Sequence, residues 1–171
     1  GALLDDRIDV ALVGTGDARL EAVAVQHLFD DEVVAVVKAD HPWTALEAVD
    51  GPALAGASII LGDMYESNRA PAIPLPLPVD ARPGEVLTVP MLPELMVEMV
   101  SAGQGIAVLP RWLVGAYLAS RDLVALPVAG SGGPKRWSCI TRQGEQPAHI
   151  QTFVTLLTSH FQPAAPAHSA G

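Results

Sequence analysis

A chain of 171 residues with 10 Lys+Arg against 19 Asp+Glu carries a formal charge of −9. Without a basic stripe, that balance excludes a duplex-binding surface on this chain, because phosphate contacts need clustered cations. Half the residues are apolar, yet no run approaches the roughly 18 to 20 uninterrupted apolar residues of a membrane helix, and no export signal opens the chain.

Gly1-Ala2-Leu3-Leu4 has the character of a helix's last turn, delivering the chain into a strand over residues 8–13 and the loop Gly14-Thr15-Gly16. A complete α/β domain rarely starts this way, so the chain reads as N-terminally truncated. A valine-rich second strand is expected over 32–38 and is stopped by His41-Pro42, where His41 is a turn residue rather than a base. A helical turn started by Pro52 leads to a strand over 58–61, with Gly62-Asp63-Met64 at its C-terminal end.

Seven prolines between Pro71 and Pro93 exclude helix and central strand, leaving room for a short strand over 86–89. Pro93 suits the first position of a helix, although Leu92 is a poor cap before it. Leu92, Leu95, Met96, Met99 and Val100 stand at offsets 0, 3, 4, 7 and 8 and predict the helix's apolar face. Glu94, Glu98 and Ser101 take the wet face. Gly103 can close that helix with φ > 0, and Gly105 lets the backbone turn. Residues 106–109 are too short for a helix and apolar on both faces, so they predict a buried parallel strand, ended by Pro110. Helix, turn and buried strand make one unit of an open α/β sheet, whose ligand sites lie at the strand C-termini.

A helix over 112–118, a strand over 123–128, a turn at "AGSGG" and a strand over 136–141 follow. The last helix should bury Ile150, Phe153, Val154 and Leu157. Residues 163–171 form a disordered tail by composition. The one cysteine, Cys139, excludes an internal disulfide, fits a reducing cytoplasm, and reads as a packed strand thiol. His27, His41, His149, His160 and His168 show no metal-ligand spacing with another His or Cys. No G-x-S-x-G elbow follows a strand, and "GTGDAR" lacks the strand-glycine-helix context of a dinucleotide site. Neither metal nor cofactor is implied.

In order and spacing, "ALLDDRIDVALV", "VVAVVKADHPW", "MVSAGQGIAVLPRWLV" and "LVALPV", before a final amphipathic helix, resemble the effector-binding domain of LysR-type transcriptional regulators. The likeness spans residues 2–161. "MVSAGQGIAVLPRWLV" with "RQGEQ" is most similar to the branch that controls methionine biosynthesis and senses homocysteine. The resemblance implies an α/β fold like the type II periplasmic binding proteins, with an effector between two lobes. Lobe I would comprise 1–38 and 125–162, and lobe II 39–124. Family members begin with a winged helix-turn-helix, a linker helix and further lobe I elements absent from this chain. The strand over 8–13 should therefore form an exposed edge.

By position, the effector site would be lined by Gly14, Thr15 and Gly16, by Gly62, Asp63 and Met64, by Pro93 and Glu94, and by Pro110. Small residues let a ligand reach backbone N–H groups, and a helix N-terminus favours a carboxylate. Glu94 would repel an anion and suits an ammonium group. The plainer alternative is that Gly14 and Gly16 only turn the chain and Glu94 only complements the helix dipole. The implied function is a cytoplasmic, ligand-sensing regulatory domain rather than an enzyme. Its effector would be small and amino-acid-like, such as homocysteine. It would form a homodimer or homotetramer, reach DNA only through the absent N-terminal segment, and have no membrane partner. A solute-binding module of a transporter and an enzyme on the same fold are the rivals.

Overall fold

The computed structural model describes residues 2–15, 22–65, 75–131, 135–144 and 146–161. In chain order its strands are β1 Val10–Thr15, β2 Val23–Asp31, β3 Val33–Lys38, β4 Ser58–Gly62, β5 Glu85–Val89, β6 Ile106–Pro110, β7 Leu123–Pro127 and β8 Lys135–Arg142. The helices are α1 Pro93–Ser101, α2 Arg111–Leu118 and α3 Ala148–Phe161, with 3-10 turns at Pro42–Ala45 and Asp63–Tyr65. Two compact units divide the chain: Gly1–Asp31 with Lys135–Gly171, and Glu32–Pro134. These boundaries differ from the expected breaks at 38/39 and 124/125. The reason is pairing: β3 lies between β6 and β7, so both β3 and β7 belong to the second unit. The glycine turn expected in lobe I falls there too, where Gly130 adopts φ +72.

The second unit is built on a five-stranded sheet of order β5-β4-β6-β3-β7. β4 runs parallel to β5 and β6, whereas β3 is antiparallel to both its neighbours. Residues 106–109 thus form the buried strand expected, parallel on one side only, in a mixed sheet. Pro110 ends the strand as expected: it is the last residue of β6, opposite Val33.

Alternation in β3 sends Val33, Ala35 and Val37 to one face of the sheet, against Val49, Leu54, Ile59, Val108 and Leu126. Val34 and Val36 go to the other, against Met96, Val97 and Val100 of α1 and Val114 of α2. A sheet covered on both faces explains strands that read as unbroken apolar runs. Each fully buried aliphatic side chain contributes about 1.5 to 3 kcal/mol. This double core therefore dominates the unit's stability.

The apolar stripe of α1 is rotated from the expected one. Leu92 and Leu95 are 55% and 39% exposed, and the buried positions are Met96, Val97 and Val100. Leu92 lies outside the helix in extended conformation, φ −116, so the face is set by packing on the sheet. Gly103, at φ +73, closes α1 as expected: its N–H donates to Val100 O and the Gln104 N–H to Met99 O. Gly105 meets a different demand, because a Cβ there would lie 2.7 Å from the Ser58 carbonyl.

The first unit holds the antiparallel sheet β1-β8-β2 with α3 against β2. β2 has no counterpart in the sequence expectations. A bulge between His27 and Phe29 breaks its alternation, which hides the strand period. Phe29 stacks on Phe161 of α3 at 4.6 Å and on Trp137 at 6.2 Å. Within α3 Ile150 is buried and Val154 and Leu157 are half-buried, but Phe153 is 48% exposed, contrary to expectation. Arg142 ties the N-terminal turn to β8, donating to Leu3 O at 3.0 Å and Ile8 O at 2.7 Å and pairing with Asp6 and Asp9. Cys139 is 1% exposed, and burial pushes its thiol pKa up. The expected disordered tail lies outside the described residues.

Candidate functional site

Parallel pairing brings three strand C-termini to one rim of the second unit. Gly62 stands opposite Val89, and the pairing of Ile60 with Ala107 carries Pro110 of β6 to the same end. From that rim Gly62 runs into Asp63–Tyr65, β5 runs through Pro90, Met91 and Leu92 into α1, and β6 runs into α2. Gly62, Asp63, Met64, Pro93, Glu94 and Pro110 are therefore gathered there. Gly14 and Thr15 lie in β1 of the first unit, and Gly16 lies outside the described residues.

Each rim residue has a local reason for its place. Asp63 Oδ1 accepts the Met91 N–H at 3.3 Å, joining the end of β4 to that of β5. Gly62 leaves room for Met91: a Cβ there would collide with the Met91 sulfur. Pro93 starts α1 and removes one of its orphan N–H groups, and no side chain caps the helix. The first-turn amides of Glu94 and Leu95 therefore have no capping side chain. Glu94 sits in that positive first turn, and its Oε1 accepts the Tyr117 hydroxyl at 3.1 Å. That hydrogen bond, with some desolvation and the carboxylate's charge, raises the Tyr117 pKa. α2 likewise begins without a side-chain cap.

Arg111 is a rim residue for which the sequence offered no role. Its Nε donates to Glu32 Oε1 at 2.6 Å and its backbone N–H to Glu32 O at 2.9 Å, fixing the corner between β6 and α2 to the start of β3. The signal was the "PRW" after an apolar strand, but its partner lies 79 residues away. With Arg111 paired, the rim offers two carboxylates and two helix starts without side-chain caps. That arrangement suits a zwitterion: backbone donors for a carboxylate, Asp63 and Glu94 for an ammonium. In the first unit, Gly14 stands opposite Trp137, and a Cβ there would lie 3.3 Å from the indole ring. Close approach by Trp137 is thus a sufficient reason for that glycine.

Comparison with known proteins gives the family. A model described as "LysR substrate binding domain" matches residues 1–162. No curated protein matches by sequence. Among solved structures, the regulatory domain of MetR, a LysR family regulator from N. meningitidis, is similar at TM-score 0.67 and 22% identity, covering 95% of this chain and 76% of that one. The CcmR regulatory domain of Synechocystis PCC6803, in complex with 2-PG, matches at 0.68 and 18%, covering 95% and 78%. The regulatory domain of reduced OxyR from Pseudomonas aeruginosa matches at 0.68 and 20%, covering 96% and 77%. The family match and these likenesses together establish the type II periplasmic-binding-protein-like fold.

Proposed function

We propose that this chain, which belongs to the LysR substrate-binding domain family, is the ligand-sensing part of a LysR-type transcriptional regulator and binds its effector at the rim of β4, β5 and β6. The family match over residues 1–162 carries the reading. The rim supplies a place for the ligand, with Gly62, Asp63, Met64, Pro93, Glu94 and Pro110 around it. The share of the site given to Gly14, Thr15 and Gly16 rests on the sequence resemblance alone.

The effector is a small amino acid of the homocysteine type. The likeness of "MVSAGQGIAVLPRWLV" and "RQGEQ" to the methionine-biosynthesis branch supports that class, as does a rim with both anion donors and carboxylates. Its carboxylate meets the first-turn amides of α1 and its ammonium meets Glu94 and Asp63. Binding one conformational state better than another shifts the population by no more than that difference in affinity. The shift passes through a cytoplasmic homodimer or homotetramer to a winged helix-turn-helix N-terminal to this chain. The domain binds and does no chemistry.

Titration calorimetry with L-homocysteine and a panel of amino, keto and hydroxy acids tests this reading. One amino acid should bind, and Glu94→Gln should weaken it about tenfold, the size of one lost charge-assisted contact. The desamino analogue should be indifferent to Glu94→Gln. Equal loss for both would remove the ammonium from Glu94, and no heat from any compound would overturn the sensing role.

A further inference from the structure

The second unit also has a hollow away from the rim. At the opposite ends of its strands, where β4 and β6 begin and β3 finishes, lies an open cavity of about 430 Å³. Its lining includes Lys38, His41, Trp43 and Ser58 and contains no carboxylate, in a chain with 19 acidic and 10 basic residues. The cation-bearing part is a turn from Lys38 to His41, closed by the His41 N–H to Lys38 O at 3.0 Å. The Lys38 ammonium has no hydrogen bond or ion pair among the described residues.

His41 Nδ1 accepts the Trp43 N–H at 3.2 Å, so in the neutral ring Nε2 carries the proton and acts as a donor. The same contact sets the imidazole edge-on to the Trp43 indole, with centroids 5.0 Å apart. The Ser58 hydroxyl donates to Glu85 Oε2 at 3.5 Å and presents its oxygen to the cavity. Gly56 and Gly103 leave the wall open, since a Cβ built at either meets nothing within 4 Å. A cation, the neutral His41 donor and an aromatic wall around one concavity match the chemistry of an organic anion.

We propose that this cavity is a second ligand site, binding a small carboxylate- or phosphate-bearing molecule through Lys38 and His41 with its body against Trp43. It lies at the other end of the strands from the effector rim, and the inference does not depend on that rim being the effector site. Amide and indole NMR shifts of the whole chain test it, with inorganic phosphate as a bare-anion probe and sodium benzoate as a ring-bearing one.

Saturable shifts at Gly56, Gly103, Gly105 and the Trp43 indole are expected with at least one probe. Saturation by benzoate alone would identify a ring-bearing carboxylate, and saturation by phosphate a bare anionic group. Lys38→Gln, on an exposed strand end, should keep the fold and weaken binding about tenfold. Ala55→Leu should reduce binding by filling the cavity while leaving the charges alone. Non-saturating shifts, or affinity unchanged in Lys38→Gln, would overturn the proposal. Shifts at Asp63, Met91 and Glu94 in place of the cavity residues would overturn it too, and would leave the rim reading standing.

Discussion

Asp63 shows how a candidate binding residue can also hold the fold. Its carboxylate accepts the Met91 N–H, so Asp63→Ala removes a partly buried bond as well as a rim charge. The expected loss is about 1 kcal/mol in urea unfolding, together with weaker effector binding. A variant that kept full stability and full affinity would show that the carboxylate serves neither role. The position of Asp63 was legible in the sequence because it follows a short apolar strand. The bond to Met91 was not, since its partner stands 28 residues on, across the proline-rich stretch.

The opposite lesson comes from Leu95 and Met96. Offsets alone put both on the buried face of α1, but Leu95 is 39% exposed and Met96 is fully buried. Met96→Ala should therefore cost roughly 2 to 5 kcal/mol, and Leu95→Ala less than about 1 kcal/mol. Equal losses would mean the helix face is misassigned. Cys139 should react with a thiol reagent only slowly in the native protein and quickly in denaturant, because burial both shields it and favours its protonated form. Rapid native modification would contradict that burial.

At the scale of elements, two side-chain pairs join α1 to α2 and to the turn that follows it. Glu94 accepts the Tyr117 hydroxyl, and Glu98 pairs with Arg121. Only the wet face of α1 was readable from the sequence, since its partners lie on α2 and in the turn beyond it. The chain has two tyrosines, so Tyr65→Phe leaves Tyr117 alone in an ultraviolet titration. A raised folded pKa means the bond's contribution is present below the unfolded value of about 10 and is lost as pH rises through the higher folded value. Tyr117 should thus ionise above the ordinary tyrosine range, and Glu94→Gln should bring it down; no change would place the two side chains apart in solution.

β1 was foreseen as an exposed edge, and it stands at the edge of β1-β8-β2 with Leu12 46% exposed. The opposite edge, β2, carries a bulge and Asp30 and Asp31, devices that discourage pairing with other chains; β1 has neither. Light scattering at high concentration should show association that Leu12→Lys reduces. Identical monomeric behaviour of the two proteins would mean the edge is covered. The bulge that protects β2 is also what concealed it from a reading based on alternation.

For the whole molecule, the charge balance bears on whether this chain itself can read DNA. At −9, with no basic stripe, the chain alone should give no sequence-selective shift of duplex DNA, and any weak retention should vanish at modest salt. A tight, selective shift would place DNA reading here. The order of "ADHPW", "GQGIAVLP" and "LVALPV" made the family and its fold legible. The unit boundaries were not, because they depend on which strands β3 joins, a tertiary fact that no local motif encodes. The proposed effector site lies where β4, β5 and β6 end. Amide shift mapping with L-homocysteine, followed by other small amino, keto and hydroxy acids, tests it most directly. Saturable changes concentrated at Gly62, Asp63, Met64, Glu94 and Leu95 are expected; saturable changes confined to other residues, or none from any of these compounds, would place the effector elsewhere or remove it.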